Sequence, residues 1–220
     1  MSTVTMVLGQ SGTGKSSSLR NFDPAHTLLI QSIKKPLPFK ATEWKPADKA
    51  NPHGSIFVCD GAQTIIGAMK RTKRKIIVLD DFQYVMANEF MRRSHEKGYD
   101  KFTDIGKNAW DILTAASLLP DDVRVYILSH TDASDDGRTK IKTIGKMLDD
   151  KITLEGMVTI VLKTVVQDGQ YLFATKNNGS DTVKTPMGLF DADMIENDLA
   201  AVDAAIFNYY GLAEAVQQAA

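Results

Sequence analysis

Residues 9–16 read Gly-Gln-Ser-Gly-Thr-Gly-Lys-Ser, directly after the apolar, β-branched run Thr3 to Leu8. No other feature of the chain restricts its fold as much. Gly9, Gly14, Lys15 and Ser16 fill the fixed positions of the phosphate-binding pattern G-x-x-x-x-G-K-[ST], in which a buried strand passes through a glycine-rich turn into a helix. Small residues let the backbone curl until successive N–H groups point at one spot, and the helix start adds its positive end. The ligands expected there are the phosphates of ATP or ADP, held along Gly9, Gln10, Ser11, Gly12, Thr13, Gly14, Lys15, Ser16 and Ser17. Lys15 can reach the β- and γ-phosphates, and the Ser16 hydroxyl can ligate Mg²⁺.

The remaining apolar segments extend this start into a sheet. Strands are expected at Thr27 to Ile33, Ser55 to Cys59, Lys75 to Leu79 and Val123 to Ser129. Between them, helices are expected at Leu19 to Phe22, Ala62 to Lys70 and, broken near Gly98, twice across Gln83 to Leu119. Strand and helix alternating in this way predict an α/β fold with a mostly parallel central sheet flanked by helices. Val158 to Val166 and Gln170 to Lys176 enclose Asp168-Gly169, a turn pair that predicts an antiparallel C-terminal hairpin at one edge. A last amphipathic helix is expected from about Met194 to Tyr210. Residues 34–54 hold four of the seven prolines and read as a loop insertion, and 211–220 as a tail on a single domain spanning 1–220.

Composition narrows the setting. With 220 residues, 43% of them hydrophobic, the chain can bury a full core without a staple. Its 26 Lys and Arg against 27 Asp and Glu exclude a wholly basic nucleic-acid binder, though not a local basic patch. The single cysteine, Cys59, has no partner for an internal disulfide, which fits a reducing cytoplasm. No apolar run approaches the roughly 18 residues of a membrane span, so no membrane association is expected.

A phosphate loop of this type needs a carboxylate at the end of a nearby strand to complete the Mg²⁺ shell opposite Ser16. Asp80, ending the apolar run Lys75 to Leu79, supplies one (the Walker B acid), although an aspartate there could instead cap the next helix. Asp81 then stands where many ATPases carry the carboxylate that orients the attacking water; Glu43 and Glu89 compete for that role. Ser129-His130 ends the strand Val123 to Leu128, and His130 is expected to sense the γ-phosphate from that tip. The chain lacks the Asn-Lys-x-Asp guanine reader of GTPases, since Thr175-Lys176-Asn177-Asn178 misses its first and last residues. It also lacks the Leu-Ser-Gly-Gly-Gln signature of transporter ATPases and ends too soon for the helical bundle of ring-forming AAA+ proteins. A small-molecule kinase survives, with Arg138, Lys140 and Lys142 as a lid.

Taken together, the phosphate loop, Val78-Leu79-Asp80-Asp81-Phe82-Gln83-Tyr84, the Ser129-His130 tip and the late hairpin resemble a RecA-like fold. More closely, with Lys34-Lys35-Pro36-Leu37-Pro38-Phe39 and Thr185-Pro186-Met187-Gly188-Leu189-Phe190, they resemble the phage-encoded RecA-like ATPases of the Sak group, implicated in single-strand annealing and recombination. The similarity covers about residues 3 to 210, and only the phosphate loop in it is highly specific. It implies ATP with Mg²⁺, assembly of subunits into a homo-oligomeric ring or filament, and single-stranded DNA as partner, with a phage single-strand binding protein as a further one. One position departs from it. RecA-like ATPases usually carry the catalytic glutamate at the end of the strand after the phosphate loop, where this chain reads Gln31-Ser32-Ile33. Either Asp81 substitutes, or turnover is slow.

DNA binding would require clustered Lys and Arg against phosphates. Candidates are Lys70, Arg71, Lys73, Arg74 and Lys75, then Arg92-Arg93, then Arg138, Lys140, Lys142 and Lys146. By the RecA-like resemblance, Thr131 to Lys146 is the DNA-facing segment, and Lys140, Lys142 or Lys146 could instead act in trans on a neighbour's γ-phosphate. Asp132, Asp135 and Asp136 work against DNA there unless turned away. Trp44, Tyr84 and Phe102 are equally readable as stacking platforms or as core. Two alternatives stand beside a DNA-dependent ATPase: the kinase, and a nucleotide-gated assembly module within a replication or recombination complex.

Overall fold

The computed structural model describes residues 1–134, 137–145, 148 and 151–212. Its strands are β1 (Thr3–Leu8), β2 (Thr27–Gln31), β3 (Ile56–Val58), β4 (Ile76–Asp80) and β5 (Arg124–Ser129), then β6 (Thr131–Ala133) and β7 (Thr139–Ile141). β8 (Ile160–Gln167), β9 (Gln170–Ala174) and β10 (Met194–Glu196) follow. The described α-helices are α1 (Ala62–Arg71), α2 (Gln83–Arg92), α3 (Asp100–Ser117) and α4 (Leu199–Tyr209).

Eight strands form one sheet in the order β10-β9-β8-β1-β5-β4-β2-β3. The six from β8 to β3 run parallel, and β9 and β10 add antiparallel at one edge. The architecture is therefore mixed α/β with a mostly parallel central sheet flanked by helices, a layout compatible with phosphate-loop and dinucleotide-binding folds alike. Successive side chains of a strand face opposite ways, so Met6 and Leu8 join α1, α2 and α3 on one face while Val7 joins α4 on the other. Cover on both faces explains why these strands are apolar throughout rather than alternating. On α3, Ile105, Ala109, Ile112, Leu113 and Ala116 recur at helical spacing and are all buried. Each of the larger ones contributes about 1.5–3 kcal/mol by leaving water.

Several boundaries differ from expectation. The phosphate loop opens only a 3-10 turn, Ser16–Leu19, and the expected helix over Leu19 to Phe22 does not form. Three consecutive serines explain this: Ser18 Oγ donates to Lys15 O at 2.6 Å, a local bond that competes with the helical ladder. Met194–Glu196 is edge strand β10, and the last helix begins only at Leu199, where the Asp198 carboxylate accepts from Ala200 N. The polar stretch after His130 holds the small β6–β7 hairpin. At the β8–β9 turn, Asp168 and Gly169 both have positive φ, as a two-residue hairpin loop requires. The 34–54 segment is an ordered cover in which Trp44 is buried against Phe39 and the core, so of its two readings the core one holds.

Candidate functional site

β1 delivers the phosphate loop to the carboxyl end of the sheet, where Gly9 N donates to Ser129 O at the tip of β5. Two of its glycines are required by close approach. A Cβ on Gly9 would lie 1.8 Å from Thr164 Oγ1 of β8, and one on Gly14, whose φ is +97°, would lie 2.9 Å from the Tyr171 ring of β9. Thr13 Oγ1 bonds Gln10 O at 2.7 Å and shares a hydrogen bond with Thr164 Oγ1 at 2.6 Å, clamping the loop against the hairpin.

Lys15 is buried, and its Nζ donates to Gly9 O and Gln10 O, both at 2.7 Å. Burial pushes this ammonium down to about 8, against the raising influence of Asp81 and Asp80. Ser16 Oγ lies 3.0 Å from both carboxylate oxygens of Asp80, which β4 carries at its end, two strands away with β5 between. Burial, reinforced by the charge of Asp81, raises the Asp80 carboxyl to about 6, with Lys35, Ser16 and Lys15 opposing. A hydroxyl facing a buried carboxylate is an oxygen donor set of the kind Mg²⁺ takes while keeping water and phosphate oxygens for the rest of its shell. The residues present therefore fit a Mg²⁺-nucleotide.

Asp81 follows with φ +61°, a left-handed conformation that costs a non-glycine residue about 1 kcal/mol or more. That turn swings its carboxylate into the cleft, where it ion-pairs with Lys35 and stands 3.6 Å from His130 Nε2. Gln83 Oε1 accepts from His130 N at 3.1 Å and from Ser129 Oγ at 3.3 Å, which fixes the strand tip. His130 presents its ring edge-on to Tyr84. Burial, followed by the repulsion of Lys15, lowers its pKa against the pull of Asp81 and keeps the imidazole neutral near pH 7.

The phosphate loop, Lys35, Asp81, His130 and Tyr171 thus enclose one cleft of about 240 Å³. Past Ser17 and Tyr171 lies a second cleft of about 620 Å³, walled by Arg20, Leu172, Ile195, Glu196 and Asn197. Arg20 holds that wall in place by pairing with Glu196 at 2.9 Å and bonding Asn197 O. The amide Nδ2 of Asn197, a residue almost wholly buried there, has no hydrogen-bond partner among the described residues. Lys35, Gln83, Thr164, Tyr171 and Asn197 were not singled out from the sequence for this site. Thr164, Tyr171 and Asn197 belong to no motif, and each of the five arrives on a different element. The available signals are two quoted segments, Lys34 to Phe39, which contributes Lys35, and Val78 to Tyr84, which contributes Gln83.

Arg138, Lys140 and Lys142 belong to the β6–β7 hairpin and the residue after it, which start directly beyond His130. Lys142 N donates to His130 O at 2.8 Å, and Asp132 sits across from Lys140 in the ladder. Lys146, Asp135 and Asp136 lie outside the described residues. The Lys70 to Lys75 cluster is elsewhere, at the start of β4, while Asp80 ends that strand. There Arg74 is committed to the carbonyls of Ala25, His53 and Gly54. Arg92 pairs with Asp60, and Arg93 with Glu89, Glu96 and Asp104. Phe102 stacks on Phe90 as part of the packing. Among the described residues no helix is long and apolar enough to cross a membrane.

No protein-family model matches the chain, and a search of curated proteins returns no match.

Proposed function

We propose that the chain is a Mg²⁺-dependent, RecA-like ATPase whose nucleotide state governs its hold on single-stranded DNA, in annealing or recombination of the phage Sak type. The observation that carries the nucleotide part is the Ser16–Asp80 contact beside a buried Lys15, at the carboxyl ends of parallel strands. Mg²⁺, when bound, neutralises phosphate charge and polarises the terminal phosphoryl group. Lys15 and the loop amides bind the phosphates, Ser16 and Asp80 hold the cation, and Asp81 orients the attacking water. His130 relays the presence of the terminal phosphate into the β6–β7 hairpin through its backbone bond with Lys142. On this reading Arg138, Lys140 and Lys142 meet DNA, and the protein works as a homo-oligomer in the cytoplasm.

With the terminal phosphate placed toward Asp80 and Asp81, the nucleoside extends past Ser17 into the larger cleft, against Tyr171. Base–aromatic stacking contributes about 1–3 kcal/mol, so Tyr171→Ala should weaken ADP binding by roughly tenfold in a calorimetric titration. An unchanged affinity would put the base elsewhere.

The DNA part is tested by ATP hydrolysis with Mg²⁺, with and without single-stranded DNA, across a salt series. Stimulation is expected at low salt. If about three phosphates are contacted, the apparent DNA affinity should fall roughly twentyfold between about 50 and about 200 mM salt, because released counterions drive such binding. Turnover indifferent to DNA but stimulated by a small acceptor would favour the kinase. Tight ATP binding with little turnover and a change of oligomer would favour the assembly module.

A further inference from the structure

Lys35 sits on the loop leaving β2, outside the phosphate-loop and strand-end patterns, yet its ammonium lies among the site's carboxylates. It ion-pairs with Asp81, stands 3.8 Å from Asp80 Oδ2, and lines the same cleft as Lys15 and Ser16. The root of its loop is pinned: Ser32 N donates to Asp80 O at 3.2 Å, and Gln31 Nε2 donates to Lys35 O at 3.2 Å. Alternation aims the side chain. Lys34, Pro36 and Pro38 are exposed, whereas Leu37 and Phe39 pack against the core, so Lys35 shares the inward side of an extended segment. Two prolines with φ locked near about −65° keep that segment extended.

We propose that Lys35 is a γ-phosphate ligand supplied in cis, held on Asp81 until a triphosphate binds and then transferred to the terminal phosphate. The inference rests on the nucleotide-site reading above and adds to it how the site tells triphosphate from diphosphate. Asp80 and Asp81 are adjacent buried carboxylates, and Lys35 lies within ion-pair distance of both. A cation held by Ser16 and Asp80 would take over compensation of Asp80 and repel the ammonium, and a terminal phosphate offers Lys35 a new partner in the same cleft. The Lys35 side chain is 37% exposed, so it can swing without repacking the core. Its departure leaves Asp81 Oδ2 open to accept a hydrogen bond from water. A diphosphate has no γ-phosphate to offer, and with it Lys35 stays on Asp81.

The test uses fluorescent derivatives of ADP and of a non-hydrolysable ATP analogue, each with Mg²⁺, titrated into wild type, Lys35→Met and Lys35→Arg. Methionine keeps the aliphatic stem and removes the charge. Lys35→Met should lose roughly 10- to 100-fold in affinity for the triphosphate analogue, the weight of one charge-assisted hydrogen bond. Its ADP affinity should stay within about twofold of wild type, and Lys35→Arg should retain most of the triphosphate preference. Equal losses for both nucleotides would make Lys35 a residue that merely shapes the loop. No loss for either would confine it to pairing Asp81. Both results overturn the proposal. Wild type binding neither nucleotide would overturn the nucleotide site itself, a result distinct from those two. Should Lys35→Met melt at a lower temperature than wild type, the charge-keeping Lys35→Arg decides by its ratio of the two affinities: a ratio near wild type upholds the proposal, and equal affinities overturn it.

Discussion

Lys15→Ala should weaken ATP binding by at least about 100-fold and reduce turnover to background. The ammonium is the one full positive charge inside the phosphate loop, and it is already desolvated: it is 5% exposed and bonds to Gly9 O and Gln10 O. Its desolvation cost is therefore met in folding rather than in binding, and an incoming polyphosphate gains its charge nearly undiluted. Two charge-assisted hydrogen bonds at about 1.5–3 kcal/mol each convert to between about 100-fold and about 10⁴-fold in affinity. Alanine also strips two loop carbonyls of their donor, so the loop itself should loosen. Calorimetric titration with ATP and Mg²⁺ checks the first effect, and phosphate release checks the second. A variant that binds and hydrolyses ATP like wild type would remove Lys15, and with it the whole loop, from the chemistry.

The largest effect on stability is expected far from the cleft, at Asp203 of α4. Its carboxylate accepts from Arg124 Nε at 2.9 Å and from a terminal guanidinium nitrogen at 2.8 Å, and Tyr126 OH donates to it at 2.6 Å. All three residues are buried, and the Arg124 guanidinium also lies over the Phe207 ring. Burial, with Asp203 adding its charge, pushes the Tyr126 phenol well above its ordinary range, so it stays a donor. Asp203→Ala would leave a buried guanidinium uncompensated and a buried phenol unpaired, at a cost of about 3–5 kcal/mol. Urea unfolding should show that loss as a lower midpoint with an unchanged slope. Replacing Arg124, Tyr126 and Asp203 together with apolar residues should recover most of it, because no orphaned charge remains. A loss below about 1 kcal/mol for the single change would mean that water reaches the guanidinium. The cluster has a functional bearing too: α4 continues from β10 and Asn197, which wall the larger cleft, so loosening it should also weaken ADP binding.

Most of the parallel strands and α1 to α3 were legible because burial on two faces, or on one helical stripe, leaves a period in consecutive residues. Where that period is short or missing, the reading slipped. β10 is three residues at an exposed sheet edge, and Met194-Ile195-Glu196 reads as easily into the helix that follows. Ser16–Leu19 fails to extend because serine side chains bond the backbone locally, a preference that the pattern of a phosphate loop does not reveal. The 34–54 segment is a loop, as its prolines suggest, but its composition does not reveal that Leu37, Phe39 and Trp44 anchor it on the core.

The phosphate loop could be read from the chain alone because everything that shapes it is local: glycines where neighbours crowd, small residues between them, and a lysine and a hydroxyl at fixed offsets. Asp80 was legible for a related reason, since an acid that ends a buried strand must face the end of the sheet. The strand order is a different matter. That β5 lies between β1 and β4, and β8 on the other side of β1, follows from how non-local contacts close. It is this order that gathers Thr164, Tyr171 and Asn197 on one side of the loop and Asp81, His130 and Lys35 on the other. Each of those residues is ordinary in its own stretch of sequence. Their chemistry comes from low dielectric and close approach, which exist only once the sheet has brought distant segments within a few ångströms of one another.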